Sequence, residues 1–383
     1  MINWRLDALH SLRDSIDDLA LCGPLYTSLR EHLHAQLHPN SPSSTPQSPL
    51  SEIITASHAN LAVTSLFRWR RLHTDASILS ALQFSPLDAV AKLDTAIIVS
   101  GAAGEGRLDL ILDIIQHIQS ESLRQATYAH LVPRSIPPIS PSKPEVDIPS
   151  LATPPSFTVF QSHQHQAPFV LRGFARAWPA LNEHPWASID YLRSVAGPGR
   201  VVPVEIGCDY RMDDWSQKLI AWDEFLDSLD TEDAVHPMYL AQHSLFMQLP
   251  SLRADIDVPD YVYAAVPRPS ECPPPQNDEQ LVINAWLGPR GTVSPAHTDP
   301  YFNFYVQVAG WKTVWIAPPE CAAGLQATGN TSGVDVFATD LDATFDGMSM
   351  ATILGPGDML YMPPKWWHAM RSESRSFSVS MWF

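Results

Sequence analysis

The chain has 383 residues, of which 45% are hydrophobic, enough for two domains and a sizeable core. Its formal net charge of −17, from 24 Lys+Arg against 41 Asp+Glu, argues against direct nucleic-acid binding, which needs a basic face. Because no apolar run reaches the ~18 residues of a membrane span and the N-terminus lacks the layout of a secretory signal, we expect a protein of the nucleus or the cytoplasm that is not secreted and has no membrane partner.

Residues 1–135 have the pattern of an all-helical domain. Apolar residues recur at i, i+3 and i+4 through 108–118, as on one face of an amphipathic helix. The glycine-rich segment 97–106 lacks both the G-x-G-x-x-G order and a following Gly-Lys-Ser/Thr. It therefore predicts a turn between helices and not a phosphate-binding loop. No motif in this region indicates a function.

Beyond a proline-rich stretch at 136–156, which predicts an extended linker, the composition changes. From 157 to 383, short β-branched and aromatic runs alternate with glycine and proline breaks, as in a sandwich or a barrel. Helical inserts are expected at 188–196 and 221–229. The predicted strands lie at 169–173, 201–207, 282–287, 304–308, 313–316, 359–362 and 377–382. The predicted fold class is α+β, with a helical N-terminal domain and a β-rich C-terminal domain.

A candidate pair of metal ligands occurs at His297-Thr298-Asp299, because residues i and i+2 of an extended segment lie on one face. With a second histidine they would form the facial triad that holds Fe(II) and leaves positions open for a cosubstrate and dioxygen. The tripeptide alone is not specific, since the same one occurs at His73-Thr74-Asp75. That copy lies in an Arg-rich helical stretch, where i and i+2 diverge around the helix. We interpret His73 as a solvated surface or helix-boundary residue.

A second histidine stands in a suitable context. Gly357, Pro363 and His368 have the G-x5-P-x4-H spacing of the second metal-ligand segment in cupin-like barrels, with Lys365 where many cupins have a glycine. The separation of His297 and His368 suits ligands on two strands that become neighbours when a barrel closes. Zinc is the alternative metal, but two histidines with a carboxylate and no cysteine favour iron-type chemistry.

A candidate anion site follows the first ligand pair. An alternating strand from Asn303 turns at Ala309-Gly310 into a second strand that begins near Lys312, so that the two are expected to form a hairpin. The chain has only five lysines, and one in an apolar hairpin is costly to bury unless a carboxylate pairs with it. Lys312 is then either a surface lysine at a strand start or, if it points inward, the partner of a dicarboxylate such as 2-oxoglutarate.

Together these motifs resemble the JmjC domain of Fe(II)/2-oxoglutarate oxygenases, over roughly residues 157–383. The resemblance implies a double-stranded β-helix, the cupin-like jelly-roll barrel, and an enzyme that uses Fe(II), 2-oxoglutarate and dioxygen. Further blocks that carry it, in order, are Arg172-Gly173, Trp178-Pro179-Ala180, Val202-Pro203-Val204-Glu205-Ile206-Gly207, Tyr239-Leu240-Ala241-Gln242-His243, Pro259-Asp260-Tyr261, Asn284-Ala285-Trp286, Pro318-Pro319-Glu320 and Phe377-Ser378-Val379-Ser380.

The resemblance also implies roles for individual residues. The implied iron ligands are His297, Asp299 and His368. The implied 2-oxoglutarate contacts are Tyr239, Ser294, Asn303 and Lys312, and the implied substrate-side residues are Glu205, Gln242 and Trp286. Glu205 also stands out by itself, because a lone carboxylate in an apolar strand is costly to bury without a cationic partner. It is a candidate for holding a substrate guanidinium or ammonium.

Three functions are consistent with these residues. The first is hydroxylation of an arginyl or lysyl side chain in protein or histone substrates, which Glu205 favours. The second is demethylation of methyl-lysine by the same chemistry, for which a wider aromatic pocket would be suited. The third is a non-catalytic peptide-binding module, against which the intact triad and Lys312 argue. Residues 157–383 carry 13 Lys+Arg and 26 Asp+Glu, a net charge of −13, which favours a basic protein or peptide as partner. The sequence predicts no particular oligomeric state.

Overall fold

The computed structural model describes residues 3–40, 46, 48–63, 66–123, 146–207, 209, 211–212, 214–230, 236–338 and 347–383. The chain divides into two compact units. The helical unit comprises Met1–Thr127, Ala196–Val202 and Ile220–Asp223, and the barrel unit comprises Tyr128–Val195, Pro203–Leu219 and Glu224–Phe383. A helical region therefore precedes a β-rich region, and the predicted α+β fold class is confirmed.

Amphipathic helices build the helical unit. They are α1 (Trp4–Arg13), α2 (Pro24–Leu37), α3 (Leu50–Val63), α4 (Phe67–Ala81), α5 (Pro86–Ser100) and α6 (Arg107–Ser122), with a 3-10 helix at Ile16–Cys22. Leu72, Leu93 and Ile111 are fully buried and belong to its core. Gly101 ends α5 in the left-handed conformation that glycine adopts without strain. The turn predicted within 97–106 is thus confirmed. No helix among the described residues has both the length and the apolar composition needed to span a bilayer.

The interpretation of His73 as a solvated residue is wrong. His73 lies inside α4 and is only 3% exposed, because α4 packs against both α3 and α5 and is buried without interruption from Arg71 to Ala81. The charges around it are paired within the unit. Asp75 accepts hydrogen bonds from Arg71 Nε at 2.9 Å and from Arg107 Nε at 2.7 Å. The polar residues of this stretch therefore form a buried network.

Strands dominate the chain from residue 146 to 383. The strands are β1 (Ser150–Leu151), β2 (Phe169–Leu171), β3 (Val201–Ile206), β4 (Ser216–Ala221), β5 (Met238–His243), β6 (Val282–Gly288), β7 (Val293–His297), β8 (Asn303–Ala309), β9 (Lys312–Ala317), β10 (Met350–Leu354), β11 (Met359–Met362), β12 (Trp367–Ser372) and β13 (Ser376–Trp382). The helices are α7 (Phe157–Ser162), α8 (Ile189–Ala196), α9 (Trp222–Ser228), α10 (Leu245–Gln248) and α11 (Pro250–Ala254). The two helical inserts expected from the sequence correspond to α8 and α9.

The described strands form two sheets. Their orders are β1-β2-β11-β8-β13-β6-β5-β3-β4 and β10-β9-β12-β7. From β6 to β13 the chain places four strands in each sheet, and neighbours within the sheets are antiparallel. Side chains from both sheets meet in one buried cluster, which includes Val170, Tyr305 and Leu360 from the larger sheet and Val314 and Ile316 from the smaller one. This is the double-stranded β-helix that the resemblance implied.

The expected hairpin at Ala309-Gly310 is not formed. β8 pairs with β11 and β13, whereas β9 pairs with β10 and β12, so the turn carries the chain from one sheet to the other. Gly310 has φ of +72°, and a Cβ there would lie 1.9 Å from the Arg375 carbonyl oxygen, which leaves room only for glycine. Antiparallel pairing in this fold is between strands that are distant in sequence.

The predicted linker is described in part. Residues 136–145 lie outside the described residues. Ser150 and Leu151 form β1, which pairs in parallel with β2, and Ile148 is buried in the cluster between the sheets. The end of the proline-rich stretch thus contributes a strand to the larger sheet.

Candidate metal and anion site

Two strands of the smaller sheet bring the candidate metal ligands together. His297 ends β7 and is the direct cross-strand partner of His368 on β12, and their ring centroids are 4.3 Å apart. Asp299 follows β7, with Oδ2 3.6 Å from His368 Nε2. One potential ligand atom from each of the three residues lies within 4.8 Å of the others. Among the described residues this is the one such group of three or more His, Cys, Asp or Glu side chains.

Backbone carbonyls set the orientation of both imidazole rings. His297 Nδ1 lies 2.7 Å from the Pro295 carbonyl oxygen, and His368 Nδ1 lies 3.0 Å from that of Trp366. Because a carbonyl oxygen only accepts, each Nδ1 must carry the hydrogen and donate it. In the neutral ring this leaves Nε2 with a free lone pair, as a metal-ligating histidine requires.

The turn before β12 holds Asp299 in place. The Lys365 amide donates to the Asp299 carbonyl oxygen at 2.8 Å, and Lys365 has φ of +66°, in the left-handed region that favours glycine. The chain thus has a lysine where the backbone conformation suits the glycine of many cupins. This turn fixes the segment after β7 relative to the start of β12.

The protonation states suit a cation. Burial and, to a smaller extent, the charge of His368 lower the pKa of His297 to about 4. Burial would raise the pKa of Asp299, but the hydrogen bond and the charge of His368 hold it below its ordinary value. Burial likewise opposes protonation of His368, but the Asp299 carboxylate raises its pKa. A neutral His297 and an ionised Asp299 are the donor forms that a metal ion needs.

Lys312 points into the barrel. It begins β9 and is 1% exposed, and Nζ donates to Tyr239 Oη at 3.1 Å and to Tyr305 Oη at 2.9 Å. No carboxylate among the described residues pairs with Lys312, and burial lowers its pKa to about 7. Gly288 lets the Tyr239 ring approach, since a Cβ there would meet its Cδ2 at 2.6 Å. The amine is therefore buried without a counter-charge.

The triad lines a small cavity, in which the space open to the centres of water molecules is about 20 Å³. Asn303 Oδ1 is buried without a hydrogen-bond partner, and Ser294 is hydrogen-bonded to the Tyr239 phenol, so polar groups face the same space. The cavity is lined by Trp286, Ser294, His297, Asp299, Asn303, Tyr305, His368, Met370 and Trp382. Of the predicted 2-oxoglutarate contacts, Ser294 and Asn303 line it, whereas Tyr239 and Lys312 are not among its lining residues.

The predicted substrate-side residues are placed differently. Trp286 lines the cavity and donates from Nε1 to Ser380 Oγ at 2.9 Å. Glu205 on β3 lies opposite Tyr239 on β5 but does not line the cavity. Gln242 is exposed at an irregularity in β5, where it adopts φ of +48°. The structure thus brings Trp286 to the cavity and leaves Glu205 and Gln242 on neighbouring strands.

Glu205 is a half-buried carboxylate. Burial raises its pKa, while hydrogen bonds from Trp215 and Gln217 lower it, and Trp215 Nε1 donates to Oε2 at 3.3 Å. No Lys or Arg among the described residues pairs with Glu205. Both Trp215 and Tyr305 were missed in the sequence, where each is an ordinary aromatic residue in a β-rich region.

The residues present fit both an iron ion and a dicarboxylate. Two imidazoles and a carboxylate form the donor set that suits Fe(II) with positions left open. The buried Lys312 amine has no carboxylate partner, which indicates that an anionic ligand completes the site. The triad lines the cavity, and Lys312 is hydrogen-bonded to the lining residue Tyr305.

Comparisons with known proteins are consistent with this site. The cupin-like domain model matches residues 156–383. Lysine-specific demethylase 8 of Danio rerio is 41% identical over 266 residues, 65% of this chain and 61% of that protein. Jumonji C domain-containing protein 5 of Drosophila melanogaster is 39% identical over 264 residues, 65% of this chain and 63% of that protein. The human bifunctional peptidase and (3S)-lysyl hydroxylase JMJD7 is 26% identical over 256 residues, 56% of this chain and 77% of that protein. The chain thus spans less than two thirds of the length of the first two relatives.

Proposed function

Because the chain belongs to the cupin-like JmjC domain family, we propose that it is an Fe(II)- and 2-oxoglutarate-dependent protein oxygenase that hydroxylates an arginyl or lysyl side chain. The family predicted from the motifs is confirmed, as is similarity to proteins named lysine demethylase 8 and Jumonji C domain-containing protein 5. The proposal rests on one observation: a two-histidine, one-carboxylate group lines a cavity, and the lining residue Tyr305 accepts a hydrogen bond from a buried amine without a counter-charge.

The triad would hold the metal. His297, Asp299 and His368 would fill three positions of an octahedral ion and leave the others open. The bound Fe(II) would supply, with 2-oxoglutarate and dioxygen, oxidation of a C–H bond coupled to decarboxylation of the cosubstrate to succinate. The carbonyls of Pro295 and Trp366 fix both imidazole rings through Nδ1, so each Nε2 would be available to hold the metal.

Lys312 would pair with a cosubstrate carboxylate. A carboxylate at Nζ favours the ammonium form, so binding raises the lysine pKa from about 7 and takes up a proton near neutral pH. Asn303 and Ser294 would orient the same ligand by hydrogen bonds. The apolar side chains of Met370 and Trp382 restrict water in the cavity, which strengthens these polar contacts.

Glu205 would recognise the basic side chain of the substrate. Its carboxylate is half-buried, and no described Lys or Arg pairs with it, so a guanidinium or ammonium would offset the cost of burying it. The excess of acidic residues in 157–383 would steer basic peptides toward the site. The human relative is named a lysyl hydroxylase, which supports hydroxylation.

Demethylation of methyl-lysine is the second candidate function, and it is favoured by the Danio rerio relative, which is named a lysine-specific demethylase. It would use the same metal and cosubstrate, with an N-methyl group oxidised in place of a side-chain carbon. A histone substrate would place the protein in the nucleus, and other protein substrates would also allow the cytoplasm. The third hypothesis, a non-catalytic peptide-binding module, gives no reason for the triad to line a cavity whose residue Tyr305 is hydrogen-bonded to the buried Lys312.

A matched peptide panel tests the proposal. Peptides that differ at one position, with arginine, lysine or N-methyl-lysine, are incubated with Fe(II), 2-oxoglutarate and ascorbate and analysed by mass spectrometry. Hydroxylation adds one oxygen atom, whereas demethylation removes one methylene equivalent. We expect an oxygen gain on arginine or lysine. A loss of methylene from N-methyl-lysine alone would establish demethylation instead.

Glu205→Gln tests substrate recognition in the same assay. Loss of a charge-assisted hydrogen bond should raise the peptide KM by about 10-fold or more, while the affinity for 2-oxoglutarate stays unchanged. Glu279→Gln, which alters an exposed carboxylate of the same unit, is the control. An unchanged KM for Glu205→Gln would remove Glu205 from the substrate site.

A further inference from the structure

Tyr305 lies between the cavity and the core of the barrel. It is on β8, two residues after Asn303, so both side chains share one face. Its ring lines the cavity and packs in the cluster between the two sheets, and the residue is 2% exposed. The mechanism proposed above uses Asn303 and Lys312 but assigns nothing to this phenol.

On this face of β8 the residues that line the cavity end with Tyr305. Gln307, the next residue inward on the same face, is fully buried and is not among the lining residues. Its amide donates to the Ala309 carbonyl oxygen at 2.7 Å, and its Oε1 accepts from Ser378 Oγ at 2.7 Å. The space beyond the ring is thus filled by side chains whose hydrogen bonds are already made.

The phenol is anchored in this position. Tyr305 Oη accepts from Lys312 Nζ at 2.9 Å and is also hydrogen-bonded to Ser378. Tyr239 accepts from the same Nζ at 3.1 Å, so the two phenols take two of the three hydrogens of a protonated amine. One hydrogen therefore remains for a carboxylate.

Resting on the proposed function, we propose that Tyr305 is a specificity-determining residue of the dicarboxylate pocket. Its anchored ring closes the inner end of the cavity and limits the length of the 2-oxo dicarboxylate that can pair with Lys312 while its other end lies at the triad. A longer chain has no space to fold into, because Gln307 and the cluster between the sheets occupy the region behind the ring.

Binding of two dicarboxylates tests this proposal without reference to turnover. The full chain, loaded with Mn(II) as a redox-inert substitute for Fe(II), is titrated by calorimetry with 2-oxoglutarate and with 2-oxoadipate, which is one methylene longer. We expect the wild-type chain to prefer 2-oxoglutarate by about 10-fold or more, the range that one methylene gives in a closed pocket. Tyr305→Leu opens the inner end, and its preference should fall to about threefold or less.

Three further variants separate the effect of the Tyr305 ring from the effect of its hydroxyl and from effects on folding. Tyr305→Phe keeps the ring, so its preference should remain that of the wild-type chain even if both affinities fall. Tyr361→Phe is the matched control, because this phenol lies on the neighbouring strand β11 and donates to the His165 carbonyl oxygen outside the cavity. Tyr305→Met provides a second opened pocket should Tyr305→Leu fail to fold.

The outcomes distinguish this inference from the proposed function. A wild-type preference retained in Tyr305→Leu and Tyr305→Met would overturn the role of Tyr305 alone. A preference lost in Tyr305→Phe would assign selection to the hydroxyl and overturn the role of the ring. If the metal-loaded wild-type chain bound neither dicarboxylate, the proposed function would be overturned, and this inference with it.

Discussion

Replacing Lys312 with methionine should raise the free energy of unfolding of the ligand-free protein near neutral pH. This gain over the wild-type protein should shrink as the pH rises. Burial lowers the pKa of Lys312 from 10.5 to about 7, so between these values the unfolded chain binds a proton that the folded chain lacks. The free energy of unfolding of the wild-type protein therefore rises with pH across that window. Methionine has a similar length and no proton to lose.

The magnitude follows from the two pKa values. The buried amine costs the folded state about 4 kcal/mol at pH 7 and about 1 kcal/mol at about pH 9.5, so the difference between wild type and Lys312→Met should shrink by about 3 kcal/mol over this range. The phenols of Tyr239 and Tyr305 lose a donor in the variant, which costs about 1–2 kcal/mol at every pH. Burial raises the pKa of both phenols, so they remain protonated throughout.

Urea unfolding of the metal-free proteins at several pH values measures this difference. Lys218→Met, at an exposed lysine of β4, is the control and should show a gap that does not depend on pH. The same variant, Lys312→Met, should bind 2-oxoglutarate at least 100-fold more weakly, because a charge-assisted contact in a dry cavity is removed. A pH-independent gap between wild type and Lys312→Met would refute the assignment of Lys312 as a buried amine without a counter-charge.

Other parts of the molecule give further predictions. Lys365→Gly should raise the free energy of unfolding by about 1 kcal/mol, since glycine adopts a φ of +66° without strain; a less stable variant in thermal unfolding would contradict this. Asp75→Asn leaves Arg71 and Arg107 without their shared carboxylate and should cost about 3–5 kcal/mol in urea unfolding, whereas a loss below about 1 kcal/mol would not fit. Burial lowers the pKa of His73 to about 4, so wild type should lose stability as pH falls from 6.5 toward 4, because the unfolded chain takes up the proton first. His73→Leu should flatten that dependence, and an unchanged slope would exclude His73 as its source.

The parts of the fold that follow local chemistry were predictable from the sequence. β11 was predicted at the residues that form it, because Met359–Met362 is an apolar run between a glycine-containing turn and two prolines. By contrast β5 and β12, which the predicted strands do not include, carry polar residues of the candidate site within their runs. β5 is also interrupted where Gln242 adopts a positive φ. The polar site residues thus interrupt the apolar pattern from which β5 and β12 could have been predicted.

Other features depend on contacts between distant segments. The ligand pair His297 and Asp299 was apparent from its spacing, but Tyr305 looked like one more member of an alternating strand. Tyr305 contacts Lys312 because β8 and β9 belong to two different sheets whose side chains pack against each other. His73 was misinterpreted because its Arg-rich neighbourhood suggested solvent, whereas Asp75 pairs with those charges inside the helical unit.

Succinate release that depends on a basic peptide tests the central claim most directly. With Fe(II), 2-oxoglutarate and ascorbate, the wild-type chain should release succinate in proportion to the oxygen gained by the peptide, and Asp257→Ala, at an exposed residue, should match it. Asp299→Ala should release none above the background without enzyme. Undiminished release by Asp299→Ala, or no release by the wild-type chain with any peptide of a broad basic panel, would contradict an oxygenase built on this triad.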